Sequence, residues 1–287
     1  MKKYKLTNET IVHLGFTLYR IEALMDFSDV KAGDKGGFVQ SENNLSQLGN
    51  AWVYGNAKVF GEAKVFDNAK VFNEAEVYDN AEVCGDAKVR CNASVYGNAS
   101  VYGNAEVFDY AEVYNNAKVC GYAEVCNYAE VCGYAEVYDN AKVYGNAEVF
   151  ENAEVFGNAE VCGDASVFGD AKVFGNAEVC GDASVYGNAF VCDHVKVRGD
   201  ADVYGKAEVC GDAKVYKNSD YIVFKNWWSS GRYFTWTRSN KMWKVGCFYG
   251  NGEELIKKAY ADSEESGREY ERVVRYVESI LADELNK

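Results

Sequence analysis

The chain has 287 residues, enough for one large or two modest domains, and no apolar run in it is long enough to cross a bilayer. Its formal charge of −14 lies wholly on residues 51–218, with 27 acidic against 13 basic side chains; residues 1–50 carry six of each sign and residues 219–287 eleven of each. A centre so acidic repels phosphates, so direct nucleic-acid binding through it is not expected. Ten cysteines in a long chain whose N-terminus lacks the pattern of a secretory signal suggest reduced thiols and a cytoplasmic protein. Proline is absent, so the turns must be made by Gly, Asn and Asp.

Residues 1–50 read as strands. Phe16, Leu18, Ile21 and Leu24 provide apolar positions in "GFTLYRIEAL", and residues 33–50 lead into a repetitive centre. From Ala51 a six-residue pattern, A-x-V-[Y/F/C]-[G/D/N]-[N/D/Y], recurs without insertion or deletion to residue 218. Valine fills the third position in all 28 copies, and alanine the first in 27, with Val195 the single replacement. A helix cannot use this period, because a six-residue step winds the apolar stripe around its axis. A strand with period two can: Ala and Val point inward, x and the residue after Val point outward, and two residues turn the corner. Gly, Asn and Asp suit the positive φ of a tight bend.

The motif resembles the hexapeptide repeat of left-handed parallel β-helices, in which three six-residue sides make one triangular coil. The resemblance implies 18 residues per coil and nine to ten coils, a rod of roughly 45 Å at ~4.8 Å per strand. Residues 1–50 then form an N-terminal cap with a degenerate first coil in which Val39 and Leu45 are in phase with the alanine column. Such a cap is needed because a solenoid end exposes unpaired backbone and apolar core.

Sorting the outward positions by 18 gives three faces. One carries Phe60, Tyr78, Tyr96, Tyr114, Cys132, Phe150, Phe168, Tyr186 and Tyr204, an aromatic ladder with one gap. Beside it runs Lys58, Glu76, Ser94, Glu112, Glu130, Glu148, Ser166, Ser184 and Asp202. The ladder either stacks on itself and stiffens the rod, or with Glu76, Glu112, Glu130, Glu148 and Asp202 forms a surface for a second copy or a basic protein partner. Cys120, Cys126 and Cys132 fall on three different faces, so no single metal ion collects them. Cys162 over Cys180 and Cys192 over Cys210 stand within disulfide reach, although reduced thiols are expected.

Hexapeptide-repeat acyltransferases use a histidine beside a protruding loop. Here no loop interrupts the repeat, and His194 sits at a corner where Asn or Asp is usual; a solvated corner residue is the simpler reading, and a general base the alternative. Three-histidine zinc ligation, a flat threonine array for ice and a phosphate-binding glycine loop all lack their residues. The expectation is a non-enzyme without metal or cofactor.

After Asn218 the repeat ends. Residues 219–287 read as a β-hairpin or small sheet, with turns at "SSG" and "SNK", then helices over about 253–261 and from about 266, the second with Tyr270, Val273, Val274, Val277, Ile280 and Leu281 on one side. The aromatic residues suggest either a small core capping the rod or a partner site using Trp228, Arg232 and Trp236. "TLYRIEAL" and "GDKGGFV", with "WWSSGR" and "VGCFYG" near the other end, resemble hexapeptide-repeat proteins of bacteriophages and prophages. The resemblance implies a β-helix with an N-terminal cap and a small C-terminal α+β domain, in a host bacterial cell. The function expected is a non-catalytic structural or interaction protein. The alternatives are an inhibitor of a host defence protein by acidic nucleic-acid mimicry, and an acyltransferase.

Overall fold

The computed structural model describes residues 2–228 and 231–285. The repeat folds as a three-sided parallel β-solenoid of about ten coils, each hexapeptide contributing a strand of two to four residues between Trp52 and Val215. Three sheets of twelve, ten and nine strands form the sides. Each coil strand pairs in parallel with the strand 18 residues on, as Val131 does with Val149. The backbone hydrogen bonds between coils run one way, each N–H donating to the next coil, as Lys58 to Ala75 O at 2.9 Å and Phe60 to Val77 O at 3.0 Å. The inward Ala and Val columns are buried along the whole rod, one stacked core. At the corners the first residue is left-handed (Gly55 at φ 61°, Asn73 at φ 60°), and the second often joins an amide ladder, as Asn80 to Asn98 to Asn116.

At the N-terminal end β1 (Tyr4–His13), β2 (Phe16–Ala23) and β3 (Lys35–Val39) extend the twelve-stranded sheet, β1 and β2 antiparallel and β3 parallel to Lys58–Val59. Leu18 and Ile21 are buried as expected, whereas Phe16 and Leu24 remain exposed. The phase expected for the first coil is corrected. Val39 pairs with Val59 and Leu45 with Val65, so both join the valine column and not the alanine column. The cause is the Ser46–Asn50 corner, two residues longer than the others, from which Leu48 projects into solvent. Trp52 occupies an outward position but is buried, because Phe27 packs edge-on to it at 5.3 Å and Tyr4 at 6.1 Å.

The C-terminal segment is larger than a hairpin. Strands Tyr221–Lys225, Tyr233–Thr237, Met242–Val245 and Phe248–Gly250 make an antiparallel sheet, followed by α1 (Gly252–Asp262) and α2 (Glu264–Leu285). α2 starts two residues before the expected position, and the "SSG" turn falls on Ser229 and Ser230, outside the described residues. Asn251 caps α1 with its side chain accepting from Glu254 N, which fixes the helix start. Phe234, Trp236, Trp243, Leu255, Val274 and Val277 form a second core between sheet and helices.

The one-way donation leaves carbonyls bare on the first coil and N–H groups bare on the last. Each end is closed by side chains of the matching kind. At the start, donors serve: Lys3 Nζ reaches Ala51 O at 2.9 Å, Asn44 Nδ2 reaches Gly61 O and Ala63 O at 2.9 Å, Arg20 reaches Gly36 O at 2.8 Å, and Tyr4 Oη reaches Leu45 O at 2.7 Å. At the finish, acceptors serve. The Asp202 N–H donates to Asn218 Oδ1 at 2.6 Å, Glu208 to Thr235 Oγ1 at 2.9 Å, Lys214 to Ser239 Oγ at 2.7 Å and Tyr216 to Asp220 Oδ2 at 2.8 Å. Capping in this way occupies edge groups through which rods could pair end to end, while β1 is left as the terminal strand of the twelve-stranded sheet.

Candidate interaction surfaces

Parallel strands carry their outward side chains at the strand spacing, so rings in one column have to stack face to face. On the first face Phe60, Tyr78, Tyr96 and Tyr114 do so with centroids 5.0, 4.8 and 4.9 Å apart, and Phe150, Phe168, Tyr186 and Tyr204 with 4.8, 4.9 and 5.3 Å. Stacking half-buries the rings from Tyr78 to Tyr186 and turns their edges to solvent, while Tyr204 at the end is 50% exposed. The acidic column is tied to them: Tyr96 Oη donates to Glu112 and Tyr114 Oη to Glu130, both at 2.8 Å. Glu76 accepts from Lys58 at 3.1 Å and lies 3.0 Å from His13 Nε2; Glu148 is exposed and Asp202 half-buried. Burial, together with Glu112, Asp79 and Glu76, pushes the Tyr78 hydroxyl up to about 12.

One expected member is not displayed. Phe60 is 2% exposed because β1 and β2 fold over it, with Leu18 and Phe38 packed against it and His13 and Phe16 at 5.5 Å. The strip open to a partner begins at Tyr78.

All three faces lose their ring in the same coil, at Cys120, Cys126 and Cys132, which are free and point away from one another. Around that coil the corners carry Tyr110, Tyr122, Tyr128 and Tyr134, each more than half exposed and the most open aromatic groups on the rod. Their signal is present in the sequence, as tyrosine where the sixth repeat position is ordinarily Asn or Asp, but the outward columns alone do not reveal it. Contrary to the expected reduced state, Cys162 is bonded to Cys180 and Cys192 to Cys210. Their Cα atoms, 4.6 and 4.8 Å apart, are set there by the coil spacing alone. Cys192, Cys210 and Asp193 are the one grouping of metal-ligand type among the described residues, and its two sulfurs are already joined to each other. His194 is an exposed corner residue whose backbone N–H donates to Gly211 O at 2.8 Å.

The three C-terminal residues do not converge. Trp236 is 2% exposed in the second core. Trp228 packs against Phe234 and Tyr270 at 6.0 and 5.9 Å, with its indole N–H buried and without a partner among the described residues. Arg232 alone is open to solvent, lining a cavity of about 360 Å³ between the sheet and the helices.

No protein-family model matches the chain, and no curated protein matches it in sequence.

Proposed function

We propose that this chain is a non-catalytic interaction protein of phage or prophage type, a rigid acidic rod that engages a protein partner or a second copy of itself through its acidic and aromatic face. The observation that carries this is the strip from Tyr78 to Tyr204, stacked rings broken only at Cys132 and bordered by carboxylates, of which Glu112 and Glu130 are held by Tyr96 and Tyr114. A surface built of stacked rings and fixed carboxylates is pre-organised, so little side-chain entropy is lost when a partner settles on it. With edge groups at both rod ends capped by side chains, association through a side face is favoured over end-to-end growth.

Sedimentation over a wide concentration range, with Tyr186→Ser and Tyr204→Ser introduced together, tests self-association. A dimer that dissociates in the variant supports it; a strict monomer shifts the proposal to a different protein as partner. A second reading, mimicry of nucleic acid toward a host protein, is favoured by the charge balance. The cations of the rod as far as Arg198 are spent on ion pairs, Lys70 with Asp29 of the N-terminal segment and the others from coil to coil, such as Lys118 with Glu136 and Lys196 with Glu178, which leaves the acidic excess uncompensated. Displacement of a basic nucleic-acid-binding protein from DNA by the rod would select that reading, and failure to displace any would remove it.

A further inference from the structure

From Lys2 to Arg198 every lysine and arginine meets a carboxylate or a cluster of backbone carbonyls. Beyond that point the pattern changes. Lys206, Lys225, Arg232 and Lys258 have no carboxylate partner among the described residues; Lys206 and Lys225 flank Tyr233 where the last coils meet the C-terminal sheet, and Arg232 joins that space to the one it shares with Lys258 on α1. In a protein of net charge −14, four cations beside two cavities that hold only the carboxylates of Asp262 and Glu208 mark a place where an anion is repelled less than elsewhere.

The cluster has a cavity to go with it. Arg232 and Lys258 line the 360 Å³ space, whose apolar wall is Phe248, Leu255 and Tyr270. The Arg232 side chain lies along Gly246, whose missing Cβ would sit 3.7 to 3.9 Å from its Cδ, Nε and Nη1 atoms, and Gly246 has φ +55°. The Arg232 side chain thus runs beside Gly246 while remaining open to solvent. On its other side Arg232 lines a second space of about 310 Å³ with Lys206, Glu208 and Tyr233, and Glu208 lies 3.8 Å from Lys244 Nζ. Lys258 stands 5.6 Å from the Phe248 ring, so charge and ring are adjacent.

We propose that this cavity binds a small organic anion with a flat apolar body, a carboxylate or phosphate monoester attached to a ring. Arg232 provides the bidentate contact and Lys258 the second charge, while the ring lies against Phe248 and Tyr270. Asp262 on the rim offers an acceptor to a hydroxyl or amino group of the ligand. The site is separate from the rod face and stands or falls independently of it.

Calorimetric titration of the full chain with 2-naphthoate, adenosine monophosphate and inorganic phosphate tests the proposal. At least one ring-bearing anion is expected to bind about tenfold or more tightly than phosphate, and which one it is tells carboxylate from phosphate ester. Arg232→Gln and Lys258→Gln are each expected to weaken that binding about tenfold with an unchanged circular dichroism spectrum, while Lys31→Gln at the opposite end leaves it intact. Binding of neither ring-bearing anion, phosphate binding as tight as theirs, or affinity indifferent to both cavity variants would overturn it.

Discussion

Replacing Thr235 by valine keeps the shape of the side chain and exchanges its hydroxyl, whose oxygen accepts from the Glu208 N–H at 2.9 Å, for a methyl group. Strand Glu208–Val209 is the last of its sheet, and Thr235 is 2% exposed, so neither a neighbouring strand nor water replaces the lost acceptor. A buried N–H left unpaired costs about 1–3 kcal/mol. Thr235→Ser keeps the acceptor and loses one methyl group, about 1 kcal/mol. Ser239→Ala, at an exposed residue where water can bond Lys214 N–H, should cost no more than about 0.5 kcal/mol. Because a solenoid's stability is a sum of coil and interface contributions, the loss will be local, and hydrogen exchange of the final coil is the proper assay. At ~2 kcal/mol those amides should exchange about 30-fold faster in Thr235→Val, with the middle coils unchanged. If valine proved as harmless as serine, side-chain capping of the sheet edges would not be what closes this end.

Alkaline pH should destabilise the rod. The hydroxyls of Tyr78 and Tyr221 are raised to about 12, chiefly by burial, and that of Tyr102 to about 12 by its hydrogen bond to Cys120 and then burial. The folded state therefore holds protons that the unfolded chain gives up near 10, so this stability is full below 10 and lost as pH rises toward 12. Lys3 runs the other way: burial lowers it to about 8 against 10.5 unfolded, so stability rises with pH across that interval. Denaturation followed together with tyrosinate absorbance should show the fall only above the Lys3 interval; a monotonic loss from pH 8 upward would contradict the assignment. Among the free thiols, exposed Cys247 should alkylate first, and Cys126, raised to about 11 mainly by burial, much later; mass mapping of partially alkylated protein reads the order.

Much of this fold was legible in residue order because the repeat states the same thing many times. Inward Ala and Val, outward ladders and left-handed corners all result from period two plus a two-residue bend. What was not legible depends on contacts that occur once. The valine-column phase of Val39 and Leu45 turns on one lengthened corner, Ser46–Asn50, which no other coil repeats. The covering of Phe60 requires β1 and β2 to fold alongside their own sheet, and nothing in the ladder's spacing indicates it. Lys3 and Arg20 read as ordinary surface cations until their carbonyl partners, 48 and 16 residues away, are seen. Trp236 reads equally as core or as partner site from the aromatic richness of its segment. Strand Tyr233–Thr237 lies between helices and rod, so Phe234 and Trp236 are buried on one side and Thr235 and Thr237 on the other.

The claim that the first face is where this protein meets its partner can be tested by placing a photo-crosslinking phenylalanine analogue at Tyr186, and separately at Phe156 on another face, in bacterial cells that express the protein. Tyr186 should yield a discrete crosslinked species, whether a second copy or one partner, and Phe156 should yield none. Equal crosslinking from both faces, or none from Tyr186, would contradict it.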